Sequence, residues 1–174
     1  MDVKKIIEQG NNHYLPNLSI DIVIVGYEDN ALKCLLLKIG EKWILPGGFI
    51  GTDESVEESA QIILKQRTGI ENAYLRFLSV FGDKKRQFKD VMKEFFVKNE
   101  MEWREDYWFN NRFVSLAYYS LVNIDKTHPS VRLFDEAFAW FDFDELPEMW
   151  MDHKSIVNTA RQRLKEDAHY EQMT

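Results

Sequence analysis

The sequence predicts an α/β fold, a mixed β-sheet with helices packed on its faces in an α/β/α sandwich. Two observations carry this. The runs SIDIVIVGY, ALKCLLLKI, YLRFLSVFG, RFVSLAYYSLVNI and EAFAWFDF are rich in β-branched and aromatic residues and read as strands. Two segments with apolar residues at helical spacing stand among and after them, one mid-chain and one near the end.

Taken in order, Met1 to Asn17 read as a short amphipathic lead-in that turns at Pro16. The strand from Leu18 and the run from Ala31 form a hairpin around Glu28-Asp29-Asn30. A short strand at Trp43-Ile44-Leu45 is broken by Pro46, Gly47 and Gly48. Ser55 followed three residues later by Glu58 is a capping box, so a helix starts there, runs to about Thr68 and closes on Gly69 in the left-handed region. Asp83 to Arg112 is a connection of roughly thirty residues, long for a link between strands and of the kind that often carries function. Within it Phe88, Val91, Met92, Phe95 and Phe96 fall on one helical stripe with lysines opposite. DELPEMWMDHK turns into a last helix from about Lys154 to Lys165, with Ile156, Val157, Ala160 and Leu164 inward. No repeat, low-complexity tract or linker divides residues 1–174, so one domain is expected.

Composition narrows the function classes. A net charge of −7 argues against a general nucleic-acid surface, which needs a basic footprint to exchange counterions with phosphates. No apolar run reaches the roughly 18 residues of a membrane span, and the N-terminus lacks a signal-peptide core, so a cytoplasmic protein is expected. The single cysteine, Cys34, sits in an apolar strand and is expected to be a buried thiol. The histidines at 13, 128, 153 and 169 are scattered without ligand spacing, which argues against zinc; His153 is expected to cap or pack.

The segment 48–70 resembles the Nudix signature: Gly, five residues, Glu, seven residues, then Arg-Glu-apolar-x-Glu-Glu-x-Gly-apolar. Gly48, Glu54, Leu64, Gly69 and Ile70 match, as does the preceding LPGG, and the resemblance extends from about Leu18 to Leu164. It implies a Nudix fold. In that family the signature Arg and glutamates hold Mg²⁺ on a substrate diphosphate and orient the attacking water. The corresponding positions here are Ile62, Ile63, Gln66 and Arg67. At about 100° per residue, Ser59, Ile63, Gln66 and Arg67 share one face roughly 100° wide, and that face holds no carboxylate. Glu57 and Glu58 point elsewhere.

Magnesium takes hard oxygen ligands in near-octahedral array, which such a face does not supply. Arg67 instead presents a guanidinium, suited to gripping an anion or to a salt bridge on the surface. The expected ligand-binding set is Arg67, Gln66, Gly47 and Gly48, with Lys84, Arg86, Arg112 and Trp108 from the insertion supplying charge and a stacking platform. Lys85, Trp103 and Tyr107 stand near them. The competing reading of the insertion is that its apolar stripe packs inward or on a second subunit while its lysines are solvated. No catalytic residue or metal is expected; Glu54 is the remaining candidate for catalysis, and Asp53 with Glu54 for a displaced metal site, although Glu54 also fits a role holding loop amides.

The style of GGFI, TGIENAYL and VSLAYYSLVNI resembles the Nudix domains of bacterial transcriptional regulators that sense ADP-ribose or sugar metabolites. Those regulators carry a winged helix after the Nudix part, and about ten residues follow the last predicted helix here, so direct DNA binding is not expected. Three readings follow. The first is a domain that binds a nucleoside-diphosphate-type small molecule, ADP-ribose-like or sugar-linked, without hydrolysis and without a cofactor. The second is a divergent pyrophosphohydrolase whose Mg²⁺ is held by residues outside the signature's central stretch, for instance Glu54, Asp83 or acids of the insertion. The third is an interaction subunit working through residues 83–112. The resemblance also implies a homodimer.

Overall fold

The computed structural model describes residues 3–131 and 135–173. A short helix α1 (Val3–Gln9) leads into β1 (Tyr14–Glu28), and β2 (Ala31–Ile39), β3 (Lys42–Ile44) and β4 (Gly47–Gly51) follow. Then come α2 (Val56–Thr68), β5 (Arg76–Phe81), α3 (Lys89–Lys98), β6 (Val114–Val122), β7 (Ala137–Asp142) and α4 (His153–Met173).

Among the described residues seven strands form one mixed sheet, ordered β3-β2-β1-β6-β5, with β4 joining β1 and β7 joining β2. β1 is the hub. It runs antiparallel to β2 (Ile24 opposite Leu35), antiparallel to β4 (Ile20 opposite Gly48) and parallel to β6 (Leu18 opposite Val114). A strand covered on both faces should be apolar at successive positions, and Ile20 and Ile22 to Val25 are all fully buried. Alternation sorts them: Ile20, Ile22 and Ile24 pack with Ala60, Ile63 and Leu64 of α2, while Val23 and Val25 pack with Ile156, Val157 and Ala160 of α4. The expected sandwich is therefore present, with α2 on one face and α4 on the other.

Two expectations about local structure are corrected. Pro16 does not turn the chain; it lies inside β1. The register slips between Tyr14 and Ser19, where Asn17 takes φ 62°, and at such a bulge the missing proline N–H costs no ladder bond. The last helix does not stop near Lys165 but runs to Met173, since nothing after Pro147 supplies a Gly or Pro stop.

The connection between β5 and β6 folds onto the body of the chain. Val91, Phe95 and Phe96 of α3 are buried with Ile7, Leu37, Ile39, Ile44 and Phe109, so the apolar stripe packs inward. Lys93, Glu94, Val97 and Lys98 face solvent. Cys34 is fully buried, and burial pushes its thiol far up. No helix among the described residues is long and apolar enough to cross a membrane.

Candidate functional site

Helix α2 sets the site, and its ends are fixed locally. The Ser55 hydroxyl accepts from the Glu58 N–H at 3.1 Å, and the Ser55 N–H donates to the Glu58 carboxylate at 2.8 Å. These bonds hold the Glu58 carboxyl below its ordinary value. Gly69, at φ 76°, ends the helix by donating to the Lys65 carbonyl at 2.9 Å. The helix lies close on β4: a Cβ on Gly48 would sit 2.9 Å from Ile63 Cγ1, so the apolar side chain at 63 fills the space beside a required glycine.

Beside this contact opens a cleft of about 260 Å³, bordered by His13, Tyr14, Thr52, Asp53, Glu54, Ile62, Ile63 and Gln66. Its acidic groups are Asp53 and Glu54, both from the loop before α2. Glu54 already has a partner: it accepts the Ser59 hydroxyl at 2.5 Å, while that oxygen accepts from the Gly51 N–H at 3.1 Å. Among the described residues no group of three or more His, Cys, Asp or Glu side chains is placed to hold a metal ion.

Arg67 stands on the floor of the cleft and is buried. Its Nε donates to Asp135 Oδ2 at 3.0 Å, its Nη2 makes a short bond to Asp135 Oδ1, and its Nη1 donates to the Gly47 carbonyl at 2.6 Å. Three of its five N–H donors are thereby engaged, and its charge is met by a carboxylate. Burial pushes the Asp135 carboxyl above its ordinary value, against the opposing pull of Arg67.

Through Gly47, Gly48, Phe49, Ile6 and Arg67 the cleft adjoins a second cavity of about 80 Å³ beneath α3. Its walls are mostly apolar, with Phe88, Val91 and Met92 from the insertion. Its polar side chains are Ser19, Asp21, Arg67, Trp150 and His153. Gly47 is needed here too, because a Cβ would come within 2.7 Å of Asp21 Oδ1 and of the Ile20 carbonyl. Asp21 Oδ2 accepts from Arg86 Nη2 at 3.0 Å and from the Ser115 hydroxyl at 2.6 Å. Arg86 also donates from Nε to Asp152 at 2.9 Å. His153 accepts the Leu45 N–H at Nδ1, 2.9 Å, which places its proton on Nε2. Burial holds the imidazole below its ordinary value; Asp21 and Asp152 pull it up, Arg86 and Arg67 down.

The structure thus gathers Gly47, Gly48, Gln66, Arg67, Asp53 and Glu54 around one cleft. The four insertion residues expected with them lie elsewhere. Arg86 is 2% exposed and held by two internal carboxylates, so it is no open phosphate contact. Trp108 is no free stacking platform: its indole N–H donates to the Ile6 carbonyl at 3.0 Å and its ring packs on Tyr14 and Phe49. Arg112 is exposed and donates to the Gly82 carbonyl at 2.6 Å. Lys84 is exposed and borders neither cavity. Arg67, expected as an open or surface guanidinium, is buried and ion-paired.

Sequence reasoning missed Ser19, Asp21 and Asp135, and read His153 as capping or packing alone. One signal was present: an aspartate inside the apolar run SIDIVIVGY is costly to bury unless something meets its charge.

Residues 17–160 match the NUDIX domain family, and the chain belongs to it. It is 22% identical over 171 residues to the ADPR responsive transcriptional repressor NtrR of Acinetobacter baylyi, an alignment covering 93% of this chain and 60% of that protein. The chain therefore spans somewhat over half of that relative's length. Among solved structures, the NUDIX domain of Shewanella oneidensis NrtR, complexed with ADP ribose, superposes with a TM-score of 0.63 at 22% identity, covering 94% of this chain and 99% of that one. A MutT/nudix family protein from Enterococcus faecalis gives 0.64 at 20% identity, covering 87% and 63%. An Ap4A hydrolase of C. elegans gives 0.58 at 12%, covering 86% and 98%. At these identities the solved structures speak for the fold.

Proposed function

We propose that this chain binds a nucleoside-diphosphate-type small molecule, ADP-ribose-like or sugar-linked, in the cleft beside α2 and does not hydrolyse it. The observation that carries this reading is the cleft face of α2, where Ile62, Ile63, Gln66 and an Asp135-paired Arg67 stand and no carboxylate does. A magnesium ion on a diphosphate needs several hard oxygen ligands. Asp53 and a Glu54 already bonded to Ser59 do not make that set, and the residues present do not fit the metal centre that the family's hydrolases use. The cleft still offers hydrogen-bonding groups at its border, from His13, Thr52 and Gln66. Two similar proteins support the ligand class, one described as ADPR responsive and one solved with ADP ribose.

Isothermal titration with ADP-ribose, NAD and nucleoside diphosphate sugars tests this, with and without Mg²⁺. Saturable binding that survives a chelator, with no phosphate or nucleotide product in Mg²⁺, Mn²⁺ or Zn²⁺, is the expected result. Metal-dependent turnover that Glu54→Gln abolishes, or no binding across the panel, overturns the proposal.

A further inference from the structure

A cleft that takes an anion without a metal needs positive charge, and the cleft beside α2 has little to give. Among the described residues Arg67 is the only lysine or arginine on its lining, and Asp53 and Glu54 stand there with it. The Asp135 carboxylate grips the Nε and Nη2 edge of Arg67 with both oxygens. That is the planar two-bond contact by which a guanidinium holds phosphate. Two N–H groups remain, but they belong to a pair with no net charge. With the pair closed, the fixed charge around the cleft is negative, and a diphosphate meets repulsion there.

Asp135 is poorly placed to be an anion. Its side chain is fully buried, and burial pushes its carboxyl up although Arg67 pulls it down. So dry an ion pair gives back in desolvation much of what it gains in attraction, which leaves a competing anion little to overcome. Arg67 would keep a partner throughout such an exchange. Asp135 would not, and a bare carboxylate cannot stay where it is, so the chain that carries it must move.

The next residue says where that motion goes. The Glu136 N–H donates to the Lys38 carbonyl at 2.8 Å. Its carboxylate accepts from the Gly40 N–H at 3.2 Å and from Lys98 Nζ at 2.8 Å. Lys98 is the last residue of α3. Two consecutive side chains thus join α2 to the turn between β2 and β3 and to the end of α3.

We infer that Asp135 is a built-in competitor for Arg67: it holds the guanidinium until an anionic ligand displaces it, and its release reports occupancy of the cleft through Glu136 to the end of α3. The inference rests on the reading of the cleft as the site of a diphosphate-type ligand and adds a regulatory contact to it. A pair that is only structural predicts the opposite sign, because without Asp135 the guanidinium would lose its placement and bind less well.

The test uses the full chain, with inorganic pyrophosphate and ADP-ribose as probes. Carbon-13 NMR follows the Asp135 carboxyl, and hydrogen exchange follows the Glu136 N–H and the last turn of α3, all in the unaltered protein. Each probe should shift the carboxyl signal and quicken exchange at these positions. Asp135→Asn, with folding checked by circular dichroism, should tighten both probes about tenfold, since the fraction of chains with a free guanidinium no longer limits binding. Lys98→Met should leave affinity unchanged and abolish the exchange response in α3; a response that persists overturns the route through Glu136. A bound probe that leaves the Asp135 signal unmoved overturns the proposal, as does a folded Asp135→Asn variant that binds no more tightly. If ADP-ribose binds in either of those cases, the cleft reading stands without the competitor. If pyrophosphate binds and displaces Asp135 but ADP-ribose does not bind, the competitor stands and the cleft reading falls. Neither probe binding to either protein sinks both.

Discussion

His153 is buried as a neutral ring, and that makes its surroundings sensitive to acid. Its folded-state value lies below the ordinary 6.5, so the unfolded chain takes up a proton that the folded chain refuses. The stability it contributes is therefore present above about pH 6.5 and is lost as pH falls from there through the lower folded-state value. Urea midpoints compared between pH 8 and pH 5 should drop in the wild type. In His153→Asn, whose side-chain oxygen can still accept the Leu45 N–H, this part of the drop should vanish. An equal drop in both proteins would show that other groups set the acid limit.

Arg67 and Asp135 form a second residue-scale case. Breaking a buried pair leaves one uncompensated charge and costs on the order of 3–5 kcal/mol. Asp135→Ala should lower stability by about that much, and Arg67→Met with Asp135→Leu together should recover most of it. A double-mutant cycle in urea measures this, and additive losses would show that the two side chains do not act as a pair.

At the scale of the element, α2 is the part most fully legible in the sequence. Its start and stop are written in residues three or four apart, Ser55 with Glu58 and Gly69 with Lys65, and such local bonds can be read without knowing the fold. Ser55→Ala should cost about 1 kcal/mol, read as a shift in the denaturation midpoint. A change well below that would mean the helix end is held by its packing on β4 instead.

The face of α2 was legible as composition and not as contact. Helical geometry put Ser59, Ile63, Gln66 and Arg67 together, and so they stand. Their partners could not be read, because Arg67 meets Asp135 across 68 positions and Leu45 meets His153 across 108. The insertion failed differently. Its charged and aromatic residues had the right chemistry for a ligand, but the fold turned Arg86 and Trp108 inward, where Asp21 and the Ile6 carbonyl claim them.

On the scale of the whole molecule, Arg86 is the tie. From the loop before α3 it reaches Asp21 on β1 and Asp152 just ahead of α4, joining the roof of the inner cavity to the sheet and to the last helix. Both Arg86 and Asp21 side chains are almost wholly buried. Arg86→Leu should therefore destabilise by roughly 3–5 kcal/mol. Hydrogen exchange should quicken first in α3, whose attachment depends on that loop. Uniform loss of protection across the sheet would show a general weakening rather than a released roof.

The pairing of Arg67 with Asp135 also limits how this face of α2 can be redesigned. A glutamate introduced at 67 would confront the Asp135 carboxylate and the Gly47 carbonyl, acceptors with no donor between them. A carboxylate therefore cannot be grafted at 67 by one substitution: Asp135 must change with it, since a single change buries two like charges side by side.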